Sequence, residues 1–335
     1  MDSVTHVVLG ACIGEAMLGK KLGRKAMLWG ALAQSLPDID FIASIWLKAT
    51  DDLLAHRGIT HSLFFALLAS LLLATIAERW HRPHNIPYKR YLLFFLAELL
   101  THLFIDSFNA YTIALLAPFT YNRFTFNTIF VADPLFSIIP LCAAIALLLM
   151  KKNAPGRKAW WRAGIAVPAV YLFLCCINKL IIDNKVEKGL QNRKLIITDY
   201  FTTPTSFNNL LWLAAAKTDS GYYVGHVSVF DTKNVTFTFF QKRDDLLSKA
   251  PDKDEVKKLK EFAQGYYTVE QWNDTLVFNI LRFGQEAGWA YPAGHFIFHY
   301  YLNPGFDNKL VVQRGRFEHW DDYAVQRMFQ RMAGR

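Results

Sequence analysis

Two short polar stretches hold residues that can bind a metal ion or carry protons. In "THLFIDSFN" (residues 101–109), His102 and Asp106 are four residues apart. On a helix this spacing places both side chains on one face, one turn apart. Imidazole and carboxylate groups both bind divalent cations, so the pair predicts a two-ligand platform.

The second stretch is "HRGITHS" (residues 56–62), in which two histidines are five residues apart. On one continuous helix, His56 and His61 would point in different directions. Gly58 instead predicts a bend, so that a loop histidine and a histidine at the start of the next helix meet at one point. Arg57 offers a planar fork that suits a phosphate group.

Two further elements add candidate ligands. In "PDID" (residues 37–40) the proline favours an extended backbone before it, which presents two aspartates from a loop. Another histidine lies near the start of the first apolar segment. The full set of candidate metal ligands is His6, Asp38, Asp40, His56, His61, His102 and Asp106. A set without thiolates suits zinc, manganese or iron, and it exceeds one tetrahedral site, which leaves room for two ions.

Each of these residues also has a structural explanation that the sequence leaves open. His102 and Asp106 can form a buried hydrogen-bonded pair, and the aspartates of "PDID" can cap a turn. The other polar side chains have equally ordinary roles: an interfacial His6, an Arg57 that reaches the lipid headgroups, and a Ser62 hydroxyl that starts a helix. Ionisable groups are energetically costly in apolar segments, and finding so many there favours a functional site.

The elements that must position these residues are the apolar segments of the first half. The 335-residue chain is 53% hydrophobic with a mean hydropathy of +0.14, which predicts a membrane-embedded part joined to a soluble part. Four segments predict spans (63–77, 91–105, 134–150 and 163–178), and two interrupted ones (4–18 and 26–47) predict short, tilted or re-entrant helices. We therefore expect an α-helical membrane domain of about four to six transmembrane or re-entrant helices over residues 1–183.

The distribution of charge predicts the orientation of this domain. The net charge is +9, and the short loops 19–25, 78–90 and 151–158 are all basic. By the positive-inside rule these loops face the cytoplasm, which puts the polar stretches and the C-terminal part on the outer face. The same pattern favours membrane lipid over nucleic acid as the neighbour, and no nucleic-acid partner is expected.

Residues 184–335 have a mixed composition that predicts a small α+β extramembrane domain. Strand-like runs occur at 194–201, 222–230, 235–240, 275–283, 296–302 and 309–315, and amphipathic helices are expected at 252–264 and 321–333.

The polar stretches also carry a resemblance in their order and spacing. "THVVLG" (5–10), "PDID", "HRGITHS", "THLFIDSFNAY" (101–111), "LLAPF" (115–119), Arg123 and "FVADP" (130–134) resemble the bacterial YdjM-like family of inner-membrane, metal-dependent hydrolases. The resemblance covers roughly the first 180 residues. Where many relatives have a Tyr-Gly-Thr turn, this chain has Tyr111-Thr112-Ile113.

The resemblance implies that the seven candidate residues act as ligands or acid–base groups, and it adds Asp133 as a further candidate. On this basis we assign catalytic roles to Asp40, His61 and Arg57. We assign Ser62 and Asp133 to supporting the ligands. The implied location is the bacterial inner membrane, with several membrane passes and the site on the periplasmic face.

Two functions follow, from different classes. The first is hydrolysis of a phosphoester, in a phospholipid or lipid-linked substrate, by metal-activated water. The alternative is a non-enzymatic membrane regulator or partner-binding protein in which a structural metal only ties helices together. An intramembrane metalloprotease is disfavoured because no H-E-x-x-H occurs, and a transporter would usually have more and longer spans.

Overall fold

The computed structural model of the chain describes residues 1–193, 196–303, 308 and 319–335. Two compact units are present: residues 1–46 with 55–175, and residues 47–54 with 176–335. The predicted domain boundary after residue 183 lies within the helix Arg157–Asn192, beyond the junction of these units, and it stays a prediction.

The N-terminal unit is helical. Its helices are α1 (Ser3–Leu22), α2 (Arg24–Ser35), α4 (Leu63–Trp80), α5 (Tyr88–Asp106), α6 (Pro134–Leu149) and the first part of α7 (Arg157–Asn192), while the short α3 (Ala49–Ala55) lies almost wholly in the other unit. Two 3₁₀ segments, Pro37–Ile45 and Ile59–His61, interrupt the helices at the predicted polar stretches.

Helices α1 and α2 pack backbone to backbone through glycines. A Cβ atom on Gly30 would lie 2.0 Å from the carbonyl oxygen of Gly10, and one on Gly14 would lie 2.2 Å from the carbonyl oxygen of Ala26. No side chain fits at such distances, so small residues set the spacing of the two helices. This close packing brings His6 of α1 beside Gln34 of α2.

Two of the described helices, α4 and α7, are long and apolar enough to cross a membrane. The expectation of four to six spans is therefore not confirmed. Helix α6 is apolar but has only 16 residues. Helix α5 carries Lys89, Arg90 and Glu98, which lower its hydropathy. The apolar segment 4–18, expected to be interrupted, forms part of the continuous 20-residue α1.

The C-terminal unit contains two antiparallel sheets. The first has the order β1 (Asp199–Pro204), β2 (Leu211–Lys217), β3 (Gly221–Ser228), β4 (Phe237–Gln241), and the second has the order β5 (Tyr267–Trp272), β6 (Thr275–Gln285), β7 (Phe296–Tyr301). Helices α8 (Lys253–Phe262) and α9 (Asp322–Met332) confirm the two predicted amphipathic segments. The predicted strand at 309–315 and the first two residues of 194–201 lie outside the described residues.

The central strand β2 of the first sheet is buried on both faces. Trp212 and Ala214 of β2 pack against Ile182 and Val186 of α7, whereas Leu213 and its neighbours pack toward the second sheet. The sequence of β2 is therefore a continuous apolar run, without the alternation of apolar and polar residues that marks a half-buried strand. The pattern alone does not predict a strand here. The second sheet is covered on its other face by α8.

Candidate metal centre

Four side chains converge at one point in the N-terminal unit: Asp38, His61, His102 and Asp106. One ligand atom from each lies within 4.8 Å of the other three. The side chains of His61, His102 and Asp106 are fully buried, and that of Asp38 is 18% exposed. Asp38 is therefore the member of the group that faces the outside.

The spacing of these ligand atoms fits a single ion. The two Nε2 atoms of His61 and His102 are 3.1 Å apart. His61 Nε2 lies 3.4 Å from a carboxylate oxygen of each aspartate, and His102 Nε2 lies 3.7 Å from each. Ligand atoms around a tetrahedral ion with bonds of about 2.0–2.2 Å are themselves roughly 3.3–3.6 Å apart. The donor set of two imidazoles and two carboxylates suits zinc, manganese or iron.

Local structure explains how each ligand reaches this point. His102 and Asp106 lie on the last two turns of α5, on one face, as their spacing predicts. Asp38 follows Pro37, which begins a 3₁₀ segment directly after α2. His61 ends the second 3₁₀ segment, immediately before α4.

Contacts outside the group orient both histidines. His102 Nδ1 donates to the backbone oxygen of Gln34 at 2.6 Å, which leaves Nε2 facing the centre. The Nδ1 atom of His61 lies 3.1 Å from the hydroxyl of Thr60 and 3.5 Å from Asp40 Oδ2. Acceptors on the outer nitrogen fix the tautomer and rotation of metal-binding histidines, and both rings show this arrangement.

Asp40 supports the turn rather than joining the central group. Its carboxylate accepts hydrogen bonds from His56 Nδ1 at 3.0 Å, from the backbone N–H of Arg57 at 2.8 Å and from the Thr60 hydroxyl at 2.9 Å. Arg57 has a φ of 57°, a left-handed conformation that is unfavourable for arginine. The chain bends between the two histidines at Arg57 and at the predicted Gly58, whose ψ is −118°, and Asp40 helps to hold the bend.

The Arg57 guanidinium lies inside the site, with a side chain only 3% exposed. It pairs with Asp106 Oδ2 at 3.1 Å and donates to Asn109 Oδ1 at 2.7 Å. Its Nε is buried and has no hydrogen-bond partner among the described residues. Asp106 Oδ2 also lies 3.4 Å from His61 Nε2, and the Met1 amino group contacts Asp106 Oδ1.

His6 packs beside the central group. Its ring stacks on His102 with 3.9 Å between centroids, its Nε2 lies 3.2 Å from Asp106 Oδ1, and its Nδ1 lies 3.2 Å from Gln34 Oε1. In this arrangement His6 orients Asp106.

The other predicted site residues lie further out. His56 is 37% exposed and its ring centroid is 6.1 Å from that of His61. Ser62 caps α4 by accepting from the N–H of Phe65. Asp133 caps α6 through the N–H of Leu135 and accepts from the Tyr171 hydroxyl, and it is not part of the four-residue group.

The carboxylates and His61 perturb one another's protonation. Burial acts to lower the pKa of His61, but hydrogen bonds to Asp106, Asp38 and Asp40 outweigh it and raise the pKa to about 9. Burial acts to raise the pKa of Asp38, but the hydrogen bond from His61 and the charge of His6 bring it below its usual value. For Asp40, hydrogen bonds from His56 and His61 overcome burial and lower the pKa. Without a bound ion, the aspartates are therefore ionised around a protonated His61.

Three residues that the sequence does not single out complete the site: Gln34, Asn109 and Thr60. Gln34 is a polar residue in an apolar segment shortly before "PDID". A polar side chain is energetically costly in such a segment, and this could have marked Gln34 as a candidate. Asn109 lies within a quoted stretch, but nothing in its spacing connects it with Arg57.

Comparison with known proteins identifies relatives for most of this chain. A family model described as YdjM inner membrane protein matches residues 1–182, which include every residue of the centre. The inner membrane protein YbcI of Escherichia coli (strain K12) is 35% identical over 104 residues, which are 31% of this chain and 58% of YbcI. The uncharacterized protein YfhP of Bacillus subtilis (strain 168) is 27% identical over 251 residues, which are 70% of this chain and 72% of YfhP. No solved structure matches the chain.

Proposed function

The chain belongs to the YdjM inner membrane protein family, and on that basis we propose that it is a membrane-bound, metal-dependent hydrolase. The observation that carries the proposal is the four-residue group, whose ligand atoms are spaced as the ligands of one ion are. Its buried carboxylates are costly unless a cation or protons balance them.

Asp38, His61, His102 and Asp106 would hold the ion. A divalent metal supplies Lewis acidity, which lowers the pKa of coordinated water and polarises a phosphoryl oxygen. We take zinc as the first candidate, with manganese or iron as alternatives. His6 and Asp40 are near enough to orient these ligands. A second ion would have to take its own ligands from His6, Asp40 and His56.

The residues around the group supply orientation and proton transfer. Arg57 holds Asp106 in place through its ion pair, and its Nε, which has no hydrogen-bond partner among the described residues, is a donor for a substrate oxygen. His56 Nδ1 is hydrogen-bonded to Asp40, so His56 Nε2 is the nitrogen that would exchange a proton with substrate. Hydrolysis forms a bond from a water oxygen to phosphorus and breaks the ester P–O bond; the water gives up one proton to solvent, and the leaving alcohol would take one from His56.

The substrate class that we propose is a phosphoester of a phospholipid or of another lipid-linked molecule. Its support is the location of the family in the inner membrane, because a lipid reaches a site at the bilayer surface by lateral diffusion. The two site residues with exposed side chains, Asp38 and His56, mark the side from which a substrate would approach. From the basic loops we infer that this side is periplasmic.

One observation favours the alternative, a membrane regulator with a structural metal. Four protein ligands complete a tetrahedral shell, and structural zinc sites are closed in this way. A catalytic ion needs a further coordination position for water or substrate. Manganese and iron can provide it because they take more than four ligands, and zinc can provide it by becoming five-coordinate.

The test is metal content and activity measured on the same samples of the detergent-purified full chain. Metal is quantified by mass spectrometry, and hydrolysis is followed on phosphomonoester, phosphodiester and phospholipid-vesicle substrates. The variants are His102→Gln and Asp106→Asn, with His295→Gln as the matched control because His295 is exposed and lies in the other unit.

We expect close to one equivalent of metal in the wild type and in the control, with both metal and hydrolysis lost in the site variants. Metal that is lost from the variants, in a protein that hydrolyses none of the substrates, would support the structural alternative. Folded wild-type protein that binds no divalent ion at all would overturn both functions.

A further inference from the structure

The C-terminal unit contains a cavity of its own, with a volume of about 420 Å³. Strand β3, the segment after it, the turn that follows β6 and helix α9 surround it. Pockets for small molecules usually measure about 300–1,000 Å³, so this one is large enough for a compact metabolite or a headgroup.

The wall of the cavity carries an excess of positive charge. Arg327 and Arg331 lie four residues apart on α9 and share one face, and Lys233 comes from the segment after β3. Asp231 supplies one negative charge. With Arg335, the lining side chains carry four positive charges and one negative charge, a surplus of three.

The ion pairs show which positive charges make up this surplus. Arg331 is bound to both oxygens of Asp231, at 2.9 and 2.8 Å, and also donates to the backbone oxygen of His226. Arg327 donates to the neutral Gln330, and Lys233 makes no ion pair within the described residues. Arg327 and Lys233 therefore remain available to an anion, whereas Arg331 is a fixed part of the wall.

The floor of the cavity is neutral and polar. Burial, together with the charge of Arg331, lowers the pKa of His226 to about 3, so its ring offers one donor and one acceptor without charge. The indole of Trp289 meets this ring edge-on, with 6.1 Å between centroids. Gly288 keeps the floor clear, since a Cβ atom there would lie 2.6 Å from His226 Cε1 and from Gln285 Oε1.

We propose that this cavity binds a phosphate monoester group, carried either by a small soluble molecule or by a lipid headgroup. Such a group has a charge of about −1.5 to −2 at pH 7, so it balances more of the positive charge of the lining than a single carboxylate would. Its oxygens suit the guanidinium of Arg327 and the ammonium of Lys233, and the uncharged floor accommodates a polar remainder. This site is separate from the metal centre and does not depend on its function.

The experiment is calorimetric titration of the detergent-purified full chain with glycerol 3-phosphate. The variants are Arg327→Gln and Lys233→Gln, neither of which breaks an ion pair of the fold. The control is Lys257→Gln, an exposed lysine on α8 outside the cavity. We expect saturable binding that weakens about tenfold in each cavity variant and is unchanged in the control.

A second arm identifies the source of the phosphate. Vesicles of phosphatidylcholine with and without phosphatidate are tested for binding of the chain in competition with glycerol 3-phosphate. A preference for phosphatidate vesicles that Arg327→Gln removes assigns the site to a lipid headgroup, and binding of the soluble ester alone assigns it to a metabolite. Absence of saturable binding to either probe, or an equal loss in Lys257→Gln, would overturn the proposal.

Discussion

The Nε2 atoms of His61 and His102 face each other at 3.1 Å, although the two residues are 41 positions apart in the chain. His102 Nδ1 donates to a carbonyl oxygen, which can only accept, so its Nε2 presents a lone pair. A proton on His61 fills the gap between the rings when no ion is present. The same gap between two lone pairs suits a cation, so proton and metal compete for one position.

This competition predicts that metal affinity rises with pH. In the folded protein without metal, His61 has a pKa of about 9, above its ordinary value of 6.5, so the protonated ring is favoured below pH 9. Binding must release that proton, and affinity should rise about tenfold per pH unit between pH 7 and 9. Chelator competition at several pH values measures the slope, and calorimetry in buffers of different ionisation enthalpy counts the proton.

The control for this prediction is Zn²⁺ binding by a chelator of known proton affinity under the same conditions, which corrects for metal speciation. An affinity that stays constant from pH 7 to pH 8.5 after this correction would contradict the protonated state of His61.

Substitution of Asp40 tests its role in positioning the turn. Asp40→Asn leaves all four central residues intact but places an amide N–H₂ against donors from His56, Arg57 and Thr60. Loss of such an outer contact typically lowers metal affinity about 10- to 100-fold, and we expect a fall in that range. Asp219→Asn, in the exposed turn between β2 and β3, is the control. Unchanged metal affinity in Asp40→Asn would show that the turn keeps its conformation without the Asp40 carboxylate.

The glycine contact between α1 and α2 predicts a strong effect of a single methyl group. Gly30→Ala puts a Cβ atom 2.0 Å from the Gly10 oxygen, and the helices must separate at a cost of about 1–3 kcal/mol. We expect a lower thermal midpoint in detergent and weaker metal binding, because His6 and Gln34 would move apart. Gly156→Ala is the control, since its Cβ meets only the flexible end of Met150. Equal midpoints for both variants would contradict the prediction.

A buried ion pair elsewhere in the N-terminal unit predicts non-additive effects on stability. Arg157 donates to both oxygens of Glu15, at 2.7 and 2.6 Å. Arg157→Met leaves the Glu15 carboxylate buried and unpaired, which should cost about 3–5 kcal/mol. The double variant Glu15→Leu/Arg157→Met should recover most of this loss in thermal unfolding. A double variant as unstable as the single one would show that Arg157 acts through the α6 carbonyls that it also binds.

The sequence predicts the residues of the central group, but not which of the candidates bind the ion and which support the ligands. The spacing of His102 and Asp106 follows from helix geometry, so their shared face was predictable. Asp38 and Asp40 follow Pro37 by one and three residues, and nothing in the sequence marks which of them turns toward the group. The bend at Arg57 and Gly58 separates His61, which joins the group, from His56, which does not, and a left-handed arginine is not marked by residue type.

The fold was predictable where patterns are periodic. Helices α8 and α9 have one apolar face and lie where their patterns predict. Strand β2 is buried on both faces, so its alanines and Trp212 show no alternation. The predicted number of spans is not confirmed, and apolar composition does not distinguish a helix that faces lipid from one that packs inside the unit, as α5 does around Phe94 and Leu99.

The four central ligands come from three separate places in the chain, with the last of them at the end of α5. No fragment that stops before residue 106 can hold the complete set. During synthesis, the complete group can therefore bind an ion only after residue 106 has been made and α5 has packed in the N-terminal unit. Occupancy of the centre is for this reason a sign that the chain has folded up to residue 106. Until the ion arrives, His61 balances Asp38, while His6, His61 and Arg57 balance Asp106.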